Sequence, residues 1–260
     1  SVFVRTFGCN FNCSGFGMPA GELSTEHLAV NPNEYTSYDQ LPLVKTGCDS
    51  YASWDVRFKH LSPMLETKAI AKHVTSLIPQ NAWTTENGDV HLILTGGEPL
   101  LGWQRSYVDL LSDELLSGLQ NLTFETNGTQ ELQLPLIEYF NEVQPNLHVT
   151  FSVSAKLPSS GHTWDEAICP SIVKGYSRVV NSLTYLKFVI TEPADFQRVA
   201  NAMDQYRAAG VKALPYVMPV GGTGDLYYKN IRWVADEALR LGYRYSPRLQ
   251  VDIWKNAWGT

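Results

Sequence analysis

Short runs rich in β-branched and aromatic residues alternate along this chain with longer stretches whose apolar positions recur every three or four residues. The short runs are Val2 to Arg5, Val90 to Thr95, Leu122 to Glu125, Leu147 to Val153, Leu183 to Ile190, Lys212 to Met218 and Tyr243 to Gln250, and each predicts a strand. Helical periodicity is clearest in "ADFQRVANAMDQYRAAG". There Phe196, Val199, Ala200, Met203 and Tyr206 mark one face, Asp195 can cap the start and Gly210 can end it. The same reading covers "LETKAIAKHVTSLI", "WQRSYVDLLSDELLSGL" and "YYKNIRWVADEALRLG". Strand and helix taking turns imply parallel βαβ units with right-handed crossovers, and so an α/β sheet or a full or partial barrel.

One stretch breaks the rhythm. Residues 14–47, from Ser14 to Gly47, are rich in Gly, Pro, Ser, Thr and Asn and keep no period. A loop this long inside a compact unit is usually functional or poorly ordered. The expected organisation is a single domain, 1–260, carrying this inserted loop, with no internal repeat and no low-complexity tract.

Composition narrows the function. A chain with 44% hydrophobic residues can bury a sizeable core, and its formal net charge of −6 offers no general attraction for phosphate backbones or anionic lipid. A nucleic-acid polymer is therefore not expected as a direct partner. No apolar run approaches the roughly 20 residues that cross a bilayer, and "SVFVRTFG" lacks the features of a signal peptide. The expected location is the cytoplasm.

The candidate chemistry lies at strand ends. "TGGEP" (Thr95 to Pro99), "ETNGT" (Glu125 to Thr129), "SVSAK" (Ser152 to Lys156) and "MPVGG" (Met218 to Gly222) each follow a predicted strand, and in parallel α/β folds ligands bind at that rim. Paired glycines let a ligand approach the backbone. Glu98 and Glu125 offer acceptors for an ammonium or amide, and Lys156 offers a partner for a carboxylate. Near the start, "RTFGCNFNCSGFGMP" holds Cys9 and Cys13 without a third close thiol, and "KTGCDSYASWD" supplies Cys48 after 34 intervening residues. Four sparse cysteines in a reducing compartment suggest metal binding or catalysis for the close pair. Three thiolates on an iron–sulfur cluster would leave one iron without a protein ligand. Zinc competes with this reading, although no convincing second pair of ligands stands near Cys48. Cys169 reads as an unrelated small buried thiol.

Taken together, "FVRTFGCNFNC", "GCDSYASWD", "LTGGEP", "ETNGT", "SVSAKL" and "MPVG" resemble the radical S-adenosylmethionine (SAM) superfamily, and within it the 7-carboxy-7-deazaguanine synthase family, over essentially the whole chain. The resemblance implies a modified partial (β/α) barrel and a radical ring contraction of 6-carboxy-5,6,7,8-tetrahydropterin to 7-carboxy-7-deazaguanine with loss of ammonia, in queuosine-type deazapurine biosynthesis. It implies a [4Fe–4S] cluster on Cys9, Cys13 and Cys48, with SAM at Gly97, Glu98, Ser154, Lys156, Met218, Pro219 and Gly221. By the same resemblance the substrate is bound at Arg5, Thr95 and Glu125, and Mg²⁺ at Ser50, where the family usually has threonine. It further implies a free pterin as substrate, an electron donor such as flavodoxin, and a homodimer. The rival expectations are another radical SAM enzyme, such as an activase, or a non-catalytic relative whose insertion binds a protein partner.

The sequence departs from that family in four places. Cys13 and Cys48 are separated by the insertion, a connection whose length costs only about 0.6 kcal/mol per doubling. The family's glutamate-containing substrate motif upstream of "FVR" has no counterpart in this sequence. Ala155 replaces a proline, and Asp252 replaces a histidine expected near the substrate.

Overall fold

The structure, a computed structural model, describes residues 1–259. Its strands are β1 (Val2–Thr6), a small antiparallel hairpin of β2 (Thr84–Thr85) and β3 (Gly88–Asp89), β4 (His91–Gly96), β5 (Asn121–Thr126), β6 (His148–Val153), β7 (Ser182–Ile190), β8 (Pro215–Pro219) and β9 (Arg244–Tyr245). Apart from the hairpin they form one sheet in the order β1-β4-β5-β6-β7-β8-β9, with every neighbouring pair parallel. Helices α1 (Thr67–Ser76), α2 (Gln104–Leu111), α3 (Leu134–Glu138), α4 (Trp164–Ala167), α5 (Pro170–Gly175), α6 (Ala194–Ala208) and α7 (Gly224–Leu241) occupy the connections, and α8 (Leu249–Trp254) follows β9. Among the described residues β1 and β9 are the two edges, so this α/β sheet is the open wall of a partial barrel.

The period of two along each strand separates core from site. Leu92, Leu94, Leu122, Phe124, Val149, Phe151, Leu186, Phe188 and Ile190 have no exposed surface and form the face packed in the main core, each contributing roughly 1.5–3 kcal/mol by burial. Phe124 stacks on Phe151, and Phe151 on Tyr176. The alternate positions form the other face. Register aligns Arg5 with Thr95, Leu94 with Phe124 and Glu125 with Ser152, so Arg5, Thr95 and Glu125 run in a row across β1, β4 and β5 near their C-terminal ends.

Three expectations are corrected. The helix read from 103 to 119 stops at Leu111, because the Asp113 carboxylate accepts the Leu115 N–H (3.0 Å) and starts a separate turn, Glu114–Leu116. The strand read from Tyr243 to Gln250 shrinks to β9, since Pro247 has no N–H for the ladder and the chain turns into α8. Asp195 does not cap α6 from outside. It lies in the first turn with no exposed surface and accepts from the Thr191 N–H (2.8 Å), the Thr191 hydroxyl (2.6 Å) and Arg198 (2.7 Å). Gly210, at φ +81°, follows α6 as expected.

The 14–47 segment is packed rather than loose. It folds into three single turns, Glu26–Ala29, Pro32–Glu34 and Tyr38–Gln40, and buries Leu41 and Val44 with Tyr51, Ala52 and Phe58. Arg57 donates to the carbonyls of His27, Leu28 and Val30. Its two ends are sewn together. The Ser24 N–H donates to the Ser14 carbonyl and the Gly47 N–H to the Phe16 carbonyl, both at 2.7 Å. Across this neck the Glu26 carboxylate accepts from the Lys45 N–H, the Thr46 N–H and the Thr46 hydroxyl, each at about 2.9 Å.

Candidate active site

The C-terminal ends of β1, β4, β5, β6, β7 and β8 open on one cavity of about 260 Å³. All three of Cys9, Cys13 and Cys48 line it, although Cys48 comes from a segment far from the first two in sequence. The closed neck answers how Cys48 arrives: with Phe16 bonded to Gly47, the insertion leaves and re-enters the core at one place. The loop that carries the first two cysteines is held by residues outside it. The Gly8 N–H donates to the Ser53 carbonyl (2.8 Å), and the Cys13 N–H donates to His162 Nε2 (3.2 Å). Phe11 stacks on the same imidazole with centroids 4.0 Å apart. Cys13 takes φ +48°, a left-handed conformation that a non-glycine residue adopts only when its surroundings enforce it.

The paired glycines of "TGGEP" line the cavity and also serve packing. A Cβ on Gly97 would strike the Gly8 carbonyl and Cys9 Cβ, and one on Gly96 would strike Thr6. Absence of side chains there lets the end of β4 lie directly against the cysteine loop. The neighbouring Glu98 is turned inward with no exposed surface, and its carboxylate accepts from the Thr126 hydroxyl (2.7 Å), the Asn127 N–H (2.6 Å) and the Leu100 N–H (3.0 Å). Its expected acceptor role toward a ligand is therefore taken up inside the protein. Pro219 is also buried away from the cavity.

The other expected residues converge. Arg5, Ser50, Thr95, Gly97, Glu125, Ser154, Lys156, Met218 and Gly221 all line the cavity. Arg5 Nη1 donates to the Gly96 carbonyl (3.2 Å) and Ser50 Oγ (3.4 Å), and Lys156 Nζ to Ser154 Oγ (2.9 Å). Cys169 is partly exposed and lies outside the cavity. So does Asp252, whose carboxylate accepts from the Tyr227 hydroxyl (3.4 Å), so that its exchange for histidine does not alter the cavity lining.

Sequence reasoning passed over Lys187, Asp49 and Arg248, which also line the cavity. Lys187 sits between the wholly buried Leu186 and Phe188, and a lysine at the alternate position of such a strand is a legible sign of a polar interior face. Asp49 pairs with Arg248 and ties the Cys48 loop to the segment before α8, a contact between positions 199 apart that no local pattern reveals.

Charge and proton affinity follow from this arrangement. Arg5, Lys45, Lys156, Lys187 and Arg248 face Asp49 and Glu125, so the cavity is cationic in an acidic chain and suits an anionic ligand. Burial pushes the Glu125 carboxyl up, but Lys187, 3.5 Å away, together with Arg5 outweighs it and holds the group below its ordinary range. Burial raises the thiols: Cys13 is pushed up to about 11, and Cys9 and Cys48 also rise. Metal-free thiols here are protonated at neutral pH, and binding iron would release their protons.

Three thiols on one cavity wall fit an iron–sulfur cluster. Among the described residues no group of three or more His, Cys, Asp or Glu side chains is disposed to hold a single metal ion. The site is thus a cysteine-lined, cationic cavity at the C-terminal rim of an open parallel α/β sheet. No family model matches the chain. It is, however, 28% identical to the 7-carboxy-7-deazaguanine synthase of Halobacterium salinarum, an alignment covering 99% of this chain and 84% of that protein. The synthase of the same name from Rhodopirellula baltica is 25% identical across 100% of this chain and 81% of its own length. Over nearly its whole length, then, the chain is similar to proteins named 7-carboxy-7-deazaguanine synthase. In fold it also resembles Streptococcus suis SuiB, solved with the precursor peptide SuiA, at a TM-score of 0.50 and 14% identity over 95% of this chain; the chain spans 48% of that structure.

Proposed function

We propose that this protein is a 7-carboxy-7-deazaguanine synthase acting on free 6-carboxy-5,6,7,8-tetrahydropterin. The observation that carries the reading is the meeting of Cys9, Cys13 and Cys48 in one cationic cavity despite the 34 residues between the last two. Cys9, Cys13 and Cys48 hold the [4Fe–4S] cluster; Gly97, Ser154, Lys156, Met218 and Gly221 cradle SAM; Ser50 provides a hard oxygen donor for Mg²⁺. Together the cluster and SAM, when bound, supply the organic radical that starts the ring contraction. The chain's own residues do the rest. Arg5 grips the substrate carboxylate with the guanidinium N–H groups not spent on Gly96 and Ser50, and Thr95 orients Glu125 through a 3.3 Å hydrogen bond. A one-electron donor such as flavodoxin and assembly as a homodimer belong to the same proposal.

Anaerobic reconstitution with iron and sulfide, reduction, and addition of SAM with and without the carboxytetrahydropterin test it. 5′-Deoxyadenosine and 7-carboxy-7-deazaguanine, followed by mass spectrometry, are the expected products. Cluster and SAM cleavage without the deazaguanine would assign a different substrate, and a protein that holds no cluster would overturn the enzymatic reading.

A further inference from the structure

Lys187 has no part in the family resemblance, yet it is the cation set closest to Glu125. It projects from β7 on the same face as Tyr185 and Val189, its side chain is only 20% exposed, and its Nζ stands 3.5 Å from Glu125 Oε1. Among the described residues Nζ makes no other hydrogen bond, and Lys187 lines the cavity, so ammonium N–H groups remain for a ligand. On the far side of the same carboxylate, Oε2 accepts from Thr95 Oγ1 at 3.3 Å. The order along the wall is thus an acceptor oxygen, a second acceptor oxygen, then a donor. A ring edge complementary to it carries donor, donor, acceptor. The aminopyrimidinone edge of a pterin has that pattern: the 2-amino group, the ring N–H and the 4-carbonyl oxygen.

Strand spacing supports the fit at the other end. Arg5 and Glu125 are separated by β4, so their backbones stand about 10 Å apart, two strand spacings. That distance suits a bicyclic ligand whose carboxylate reaches Arg5 while its opposite edge meets Glu125.

On the reading proposed above, we infer that Lys187 is a specificity-determining residue, donating to the 4-carbonyl oxygen of the pterin while its ion pair fixes Glu125 as the acceptor for the two neighbouring N–H groups. Lysine rather than a neutral donor suits both tasks, because an ammonium can bond the carboxylate and the carbonyl at once.

The test uses the reconstituted holoenzyme with SAM. Binding of 6-carboxypterin and of 6-carboxylumazine, which has a carbonyl in place of the 2-amino group, is followed by ligand fluorescence in wild type, Lys187→Met, Lys187→Arg and Glu125→Gln. Iron content and melting temperature of each variant confirm that it is folded and loaded. Lys187→Met is expected to weaken 6-carboxypterin roughly 10- to 100-fold, the loss of a charged hydrogen bond, and to raise KM more than it lowers kcat. Lys187→Arg restores most of the affinity, and Glu125→Gln removes the preference for the pterin over the lumazine. Wild-type affinity in a folded, loaded Lys187→Met, or no rescue by arginine, overturns the inference. Failure of wild type to bind 6-carboxypterin while it still cleaves SAM overturns the proposed substrate, and the inference with it.

Discussion

Glu98 shows how a residue's chemistry can be legible while its task is not. The motif "TGGEP" marks it as a candidate ligand group, but its carboxylate is enclosed and occupied by three donors from Thr126, Asn127 and Leu100. Glu98→Ala leaves those donors buried and unpaired, so a loss of about 3 kcal/mol or more is expected in chemical denaturation. Arg5 behaves as the sequence suggests, since it reaches the cavity with N–H groups to spare. Arg5→Lys removes the planar fork and is expected to raise KM for the carboxylated substrate roughly tenfold or more in steady-state assays, an effect of lost bidentate geometry. The pairing of Lys187 with Glu125 is not legible in sequence, because Glu125 lies two strands away and only the sheet order brings them together.

Among elements, the long strands and amphipathic helices were visible because their periods are imposed by burial on one face. The breaks were not. Asp113 inside an apolar periodic stretch diverts the backbone into a new turn through a side-chain hydrogen bond, and Pro247 cuts a β-rich run by lacking an N–H. The insertion neck was the least legible element, because its hydrogen bonds join Ser14 to Ser24, Phe16 to Gly47 and Glu26 to Lys45 and Thr46. Burial pushes the Glu26 carboxyl up, yet these donors outweigh it and hold it below its ordinary range. A depressed folded-state value means the latch contributes fully above the unfolded carboxylate range, about pH 4.3, and is lost as pH falls through the folded value. Glu26→Ala is expected to cost about 1–2 kcal/mol locally. Hydrogen exchange would register this as faster exchange at Lys45 and Thr46 with the central strands unchanged; equal protection in both proteins would show that the neck closes without Glu26.

For the whole molecule, the alternation of strand and helix was enough to reach an α/β sheet with its site at the C-terminal rim, and the cysteine assignments make that picture testable. Cys48→Ala is expected to abolish iron retention after reconstitution, whereas Cys169→Ala, outside the cavity, keeps it. Equal iron loss in both would contradict the ligand set. The closed neck carries a broader meaning. Because the chain departs at Phe16 and returns at Gly47 through one hydrogen-bonded neck, the thiols are addressed by position in space and not by distance along the chain. Changes of length in the turns between Gly17 and Gln40 need not move the metal ligands, provided the neck and the packing of Leu41 and Val44 against Tyr51 and Phe58 are kept.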